Sequence, residues 1–307
     1  MMKKLLIILL TFAALAILCS YIFIPSKIKI SSISTGQVNS VAAHRVLMDD
    51  DTWIKWWPNE KAFQLRETSF RLTQKMLNSF ELMICKGGDS ILSQVQIIPV
   101  NFDSVTLIWS SEIQTGNNPV KRFGHYNTAV KIKKDLDLLL DSLASFLSAP
   151  KNIYGFVVKK TIVTDSVLIS TRKLFDHYPD EFETGELVKR LRAYISANNA
   201  KEMNYPMLHI RKVDSIHFEA MTAIATSIKL PDNNEFASKM VFKGGNLLEG
   251  EIIGGYATIR NALIEYENYI KDYEWTSPAI PYELIITDRT KERDTAKWIT
   301  RLCYPVF

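Results

Sequence analysis

The sequence predicts an α+β protein of two domains behind an apolar N-terminal segment. Three observations carry that prediction. The chain has 307 residues, more than one hydrophobic core ordinarily organises. Its first half strings period-2 segments together and closes them with one long amphipathic stretch. Its second half runs through the same β-α-β-β order twice. The composition, 47% hydrophobic and 23% charged, belongs to a globular chain and not to a disordered one.

The elements follow in order. Leu5 to Ile24 is apolar apart from Thr11 and Ser20. That is about 20 residues, enough to cross a hydrocarbon core as a helix. Lys3 and Lys4 precede it and Pro25 ends it. A cleaved signal needs small residues after the apolar run, where Ser20-Tyr21-Ile22-Phe23 stands. Lipidation of Cys19 needs a small residue in place of Leu18. The expectation is therefore an uncleaved, single-pass anchor over residues 1–25. Its N-terminus is placed in the cytoplasm and the domains outside, although Lys27 and Lys29 balance Lys3 and Lys4 and code the orientation weakly.

Residues 26–150 form the first expected domain. Lys27 to Ser34 alternates as a strand, and Asn39 to Met48 has helical spacing. Asp49-Asp50-Asp51-Thr52 caps a short helix that carries Trp53, Trp56 and Trp57 and stops at Pro58. Strands are expected at Phe63 to Leu72, Lys75 to Cys85, Ile91 to Ile98 and Ser104 to Ile113, with Lys86-Gly87-Gly88-Asp89 as a turn. A helix from Tyr126 to Leu147 presents Val130, Leu136, Leu139, Leu140, Leu143 and Phe146 as its apolar stripe.

That is a helix-grip order. With Ile24-Pro25-Ser26, Trp53-Ile54-Lys55-Trp56-Trp57-Pro58 and Asn118-Pro119-Val120-Lys121-Arg122, the region resembles the START-like (SRPBCC) superfamily, and in particular its membrane-anchored bacterial members. The Asn-Ala-Pro signature common there is replaced by Ser34-Thr35-Gly36-Gln37. The resemblance implies a curved sheet wrapped round the closing helix, an apolar cavity between them, and a place in the bacterial cell envelope. Trp53, Trp57 and Trp109 are the candidate lining of that cavity, with Trp56 beside them. The plainer reading makes all of them core.

Residues 153–307 form the second expected domain, after a short linker containing Pro150. The first pass places a strand region at Val157 to Ser170, a helix at Phe182 to Asn198, and strands at Met207 to Lys212 and Ile216 to Ile228. Asp232 to Gly250 links it to the second pass. There, a strand at Ile252 to Ile259 and a helix at Asn261 to Tyr273 lead to strands at Tyr282 to Thr287 and Trp298 to Val306. Tyr205-Pro206-Met207 stands in the first pass where Ile280-Pro281-Tyr282 stands in the second.

The second pass carries Gly255-Tyr256-Ala257, Tyr282-Glu283-Leu284-Ile285, Thr287-Asp288, Trp298-Ile299-Thr300 and Tyr304-Pro305-Val306. In these it resembles the GyrI-like small-molecule-binding domain, also found as the effector-binding domain of multidrug-responsive regulators. The family's His-x-Gly segment is replaced by Ile259-Arg260-Asn261. The resemblance implies two pseudo-equivalent halves with a ligand cleft between them.

Glu283 interrupts an apolar strand, and a carboxylate there must be paired, protonated or awaiting a ligand. Residues 283, 285 and 287 share one strand face, and Tyr256, Trp298 and Tyr304 stand on strands of the same half. An acid among rings suits flat organic cations, each ring face adding roughly 0.5–2 kcal/mol. The expected ligand-binding set is Glu283, Tyr256, Ile285, Trp298 and Tyr304, and the resemblance puts the glutamate at its centre. The same family also contains hydrolases that open strained cyclopropane rings with a Tyr and a Glu, which here would be Tyr256 and Glu283. The structural alternative is an ion pair of Glu283 with Arg289, Arg293 or Arg301.

Other classes lack their motifs. No glycine pair fits G-x-G-x-x-G or a P-loop, and there is no G-x-S-x-G elbow. If Asp214-Ser215 is a two-residue turn, His209 and His217 point to opposite faces, so no metal and no cofactor is expected. The net charge of +4 and the lack of a helix-turn-helix argue against nucleic acid. Cys19, Cys85 and Cys303 do not make a disulfide framework. The expected function is a membrane-anchored protein that senses or sequesters apolar or cationic aromatic small molecules. The hydrolase and a protein-interaction module are the other readings.

Overall fold

The structure is a computed structural model, and it describes the chain apart from residues 1–9, 12–14, 16, 60, 62, 166 and 278. It is α+β, with two antiparallel sheets. The chain divides into two compact units, Met1–Ile153 and Tyr154–Phe307. The anchor expected over residues 1–25 rests on segments outside the described residues. Helical turns are described at 17–23, and no helix among the described residues is long and apolar enough to cross a membrane.

The first unit runs β1 (Lys27–Gly36), α1 (Ser40–Met48), α2 (Asp50–Trp56), β2 (Gln64–Leu65), β3 (Thr68–Lys75), β4 (Ser79–Lys86), β5 (Asp89–Asn101), β6 (Ser104–Gln114), α3 (Pro119–Leu147) and α4 (Pro150–Tyr154), whose last residue belongs to the second unit. The sheet order is β1-β6-β5-β4-β3-β2, and α3 packs against β1 and β6. Three expectations are corrected here. The single strand expected at Phe63 to Leu72 is broken, because Phe63 and Arg66 take left-handed backbone (φ 60° and 55°) and fold it into a tight hairpin. The long helix starts at Pro119 and not at Tyr126, since Asn118 accepts from the Val120 and Lys121 amides and Pro119 suits the first helical turn. Its stripe includes Ile132, fully buried, while Val130 is exposed.

Trp53, Trp57 and Trp109 are buried in a run of aromatic contacts with Trp56, Phe63, Phe70 and Phe80. Each indole N–H is satisfied, Trp53 by Leu47 O, Trp57 by Gln64 O and Trp109 by Ser93 Oγ. Beside them α3 buries Asp135, which accepts from Arg66 at 3.0 Å, Lys86 at 3.0 Å and Thr68 at 2.8 Å.

The second unit runs β7 (Val158–Ile162), β8 (Val167–Phe175), α5 (Glu181–Ala197), β9 (Met207–Lys212), β10 (Phe218–Ala225), β11 (Ala237–Met240), β12 (Asn246–Ile253), α6 (Tyr256–Asp272), β13 (Tyr282–Ile285) and β14 (Ile299–Val306). One sheet holds all eight strands in the order β11-β8-β10-β9-β13-β14-β12-β7. The two repeats are β8-α5-β9-β10 and β12-α6-β13-β14. They join edge to edge through β9 and β13. The strand that precedes each repeat pairs with the other one: β7 with β12, and β11 with β8. The stretch expected to be a plain link between the halves thus contains β11. The expected strand Ile252 to Ile259 ends at Ile253, because Gly254 turns the chain at φ +144°. A Cβ there would lie 2.7 Å from Thr258 Oγ1, so the position requires glycine.

Aromatic residues tie the start of this unit to α6. Tyr154 donates to Asp272 at 2.9 Å and meets Tyr269 edge-on. Phe156 stacks on Tyr266, over Gly250. A fragment spanning 154–307 is expected to unfold in one cooperative transition. Starting it at Val157 removes both rings and is expected to cost at least about 3 kcal/mol, by analogy with large-to-small aromatic truncations, as read by urea denaturation.

Candidate functional site

Glu283 sits on β13 opposite Leu208 of β9 on one side and Leu302 of β14 on the other. Equating Pro206 with Pro281 makes Leu208 the counterpart of Glu283 in the first repeat. The two counterparts are directly paired, so the pseudo-two-fold relation between the repeats passes through them. Residues directly opposite in an antiparallel pair stand about 4.5–5.5 Å apart. A second glutamate at position 208 would therefore set two carboxylates side by side, whereas leucine lets one acid stand alone at the seam.

The carboxylate is buried, with Glu283 6% exposed, and so is its partner Arg289 at 7%. Nη2 of Arg289 donates to Glu283 Oε2 at 2.9 Å and to Thr300 Oγ1 at 2.8 Å. The guanidinium carbon lies 5.3 Å from the Trp298 ring centroid and 5.7 Å from that of Tyr256. These two rings meet edge to face at 5.3 Å and 89°. Trp298 is locked by its indole N–H, which donates to Glu292 O at 2.9 Å. Of the three arginines open to Glu283, Arg289 is the one that pairs with it. Arg301 lies across the sheet beside Glu249 and Glu251, at 3.8 and 3.5 Å.

Tyr256 is the first residue of α6 and not a strand residue, which corrects the expectation. Its hydroxyl donates to Glu181 Oε2 at 3.2 Å, and Glu181 is the first residue of α5. The N-termini of the two repeat helices thus touch across the seam. Burial pushes the Tyr256 phenol well above its ordinary value; Arg289 opposes the shift, and Glu181 adds to it. Tyr178 stands at the rim, 44% exposed. Its phenol is also raised, by desolvation first and by the Glu283 charge second.

The structure brings together Glu283, Tyr256 and Trp298 of the expected set. Ile285 packs into the neighbouring cluster of Phe175, Leu187, Leu208 and Ala220. Tyr304 lies elsewhere, stacked on Tyr266 at 4.5 Å in the core beneath α6. Sequence reasoning missed Glu181 and Thr300. Glu181 is signalled only by its place behind the helix cap Asp180, and Thr300 by the strand period that puts it on the Glu283 face. The histidine geometry also differs: His209 opposes Met221, and a loop of Val213 to His217 replaces the two-residue turn. His217 contacts Asp214 within that loop. Among the described residues no group of three metal-binding side chains gathers.

On the opposite face of the sheet lies an open concavity of about 530 Å³, lined in part by Tyr282, Leu284, Cys303, Glu249, Arg301 and Asp165. In it Arg301 approaches Glu249, and Asp165 accepts from the Asn204 side-chain amide at 2.8 Å. The Cys303 thiol is pushed up to about 12 by burial, which makes it a poor nucleophile.

No family model matches the chain, and no curated protein matches it in sequence. Solved structures are similar to it over about half of its length. The chain is similar to the C-terminal domain of EcmrR, at 14% identity over 50% of this chain and 98% of that one, with a TM-score of 0.43. It is similar to a hydrolase from Listeria innocua, at 12% identity over 49% and 91% and a TM-score of 0.36. It is also similar to SAV2435 bound to tetraphenylphosphonium, at 13% identity over 49% and 94% and a TM-score of 0.33.

Removing one partner of a buried ion pair leaves the other uncompensated. Glu283→Ala is expected to destabilise the fold by about 3–5 kcal/mol, while the double change Glu283→Leu with Arg289→Met recovers most of that loss. Urea unfolding of the wild type, the alanine variant and the double variant checks it.

Proposed function

We propose that the second unit is a small-molecule-binding module of the GyrI-like, effector-binding kind. In this reading the N-terminal apolar segment anchors it, behind a START-like first unit, at the membrane of a bacterial cell envelope. One observation carries the binding assignment: a carboxylate is buried on the seam between two repeats and holds a cation, the Arg289 guanidinium, against the rings of Tyr256 and Trp298. An acid kept in such a place without a symmetric mate is a recognition group for a positive, flat guest. The chain's role is then to sense or sequester apolar and cationic aromatic molecules.

Nothing in the geometry favours hydrolysis. A proton-transferring phenol works best with a pKa near the working pH, and burial moves Tyr256 the other way. Its hydroxyl is engaged by Glu181, and Glu283 is engaged by Arg289.

Glu283→Gln keeps the shape and removes the charge. It is expected to weaken binding of aromatic cations by about 1–3 kcal/mol and of neutral aromatics much less, measured by titration calorimetry against matched pairs. Equal affinity of wild type and variant for the cations leaves Glu283 as nothing more than the partner of Arg289. For the anchor, mass spectrometry of the protein from host membranes is expected to recover an N-terminal peptide that includes residues 1–25. A mature N-terminus near Ser20 or Ser26, or a lipidated Cys19, defeats that part of the proposal.

A further inference from the structure

We infer that Arg289 is a resident guest. The cage of Glu283, Thr300, Tyr256 and Trp298 is a site for a guanidinium-like organic cation, the protein's own side chain fills it, and an outside cation enters by displacing Arg289. The inference rests on the small-molecule reading given above and adds to it a competitor encoded in the chain.

Arg289 has the contacts a bound cation would have. Its charge meets one carboxylate and one hydroxyl at 2.9 and 2.8 Å, and its carbon lies over two rings set at a right angle. The fit is incomplete, because its Nε is buried with no hydrogen-bond partner. A buried donor left unmade weakens the guest that carries it. A cation of the same size without such a donor loses nothing there, so exchange is open to ligands that cover the rings as well as arginine does.

The segment that delivers Arg289 is built to close over the site. It is the connection from β13 to β14, Ile286 to Trp298, and apart from a 3₁₀ turn at Thr295–Lys297 it has no regular structure. It fits against both repeat helices at glycines. A Cβ on Gly185 of α5 would stand 2.7 Å from Thr290 Cγ2, and one on Gly255 at the start of α6 would stand 3.0 Å from Thr295 Cβ. The equivalent connection in the first repeat, Val213 to His217, is a short loop that holds itself through Asp214. Lifting the longer segment removes Arg289 from the cage and exposes Glu283.

The test uses the full chain, with methylguanidinium and ethidium as probes and methylurea as the neutral control. In Arg289→Ala, methylguanidinium at millimolar concentration is expected to raise the melting temperature while methylurea does not. Wild type is expected to respond to neither. Ethidium is expected to bind Arg289→Ala at least about tenfold tighter than wild type, and adding Glu283→Gln is expected to abolish the gain. Arg289→Lys keeps a cation that can pair with Glu283 but cannot bridge it to Thr300 in the same way. It is expected to gain ethidium affinity several-fold even if the alanine variant does not fold. Gly185→Ala, which keeps the arginine in the sequence but pushes on Thr290 and so lifts the segment that seats it, is expected to do the same. Folded Arg289 variants with neither response overturn the inference. Ethidium binding wild type as tightly as the variants overturns it too, while leaving the small-molecule reading intact. Gain in the variants with no binding to wild type supports the resident guest and counts against that reading for the natural chain.

Discussion

A charge buried where two repeats of one sheet meet has to be neutralised from one side only. The pairing of Glu283 with Leu208 puts the acid on the line that relates the halves, so symmetry supplies it with no counterpart and no counter-ion. The remedy is asymmetric. The second repeat lengthens its strand connection and returns Arg289 to the acid, and the first repeat keeps a short turn. The close approaches at Gly185 and Gly255, the locked indole of Trp298 and the crossing contact of Tyr256 with Glu181 all follow from that need to bring a long loop down onto the seam.

The first unit solves a related problem by other means. Asp135 is as buried as Glu283, but it lies on a long helix facing a sheet and receives Arg66, Lys86 and Thr68 from three directions. Both of its oxygens accept. Among the described residues no ring stands over either cation there, and Trp53, Trp57 and Trp109 use their N–H groups on backbone and serine oxygens. The aromatic cluster of the first unit packs ring on ring, while the smaller cluster of the second unit holds the Arg289 charge in its angle.

Much of this was legible in the sequence, for identifiable reasons. Strands with period-2 burial and the amphipathic α5 and α6 announce themselves, and the repeat shows through Pro206 and Pro281. Glu283 is conspicuous because a carboxylate inside Tyr-Leu-Ile-Ile violates its surroundings. What was hidden depends on the third dimension. Three arginines follow Glu283, and spacing does not say which turns back to it. Gly254 and Gly255 look like part of an apolar strand until the left-handed turn at Gly254 moves Tyr256 onto a helix. The exchange of β7 and β11 between the repeats leaves no local mark, since each pairs with a strand far away in the chain. Tyr304 has the right strand face for the site, yet it is claimed by Tyr266.

The order of strands has a consequence for how the second unit comes off the ribosome. β14, the last strand made, lies inside the sheet between β13 and β12, and β7, the first made, waits for β12. The pairing of β7 with β12 spans most of a hundred positions, the kind of distant contact that slows folding. The first repeat emerges with β9 paired to β10 on one side and open on the other until β13 follows it. A nascent chain at that stage carries open strand edges, the feature through which partly made sheets find the wrong partners. The first unit shares the difficulty, since its opening strand β1 waits for β6, but its sheet and closing helix are complete before the second begins.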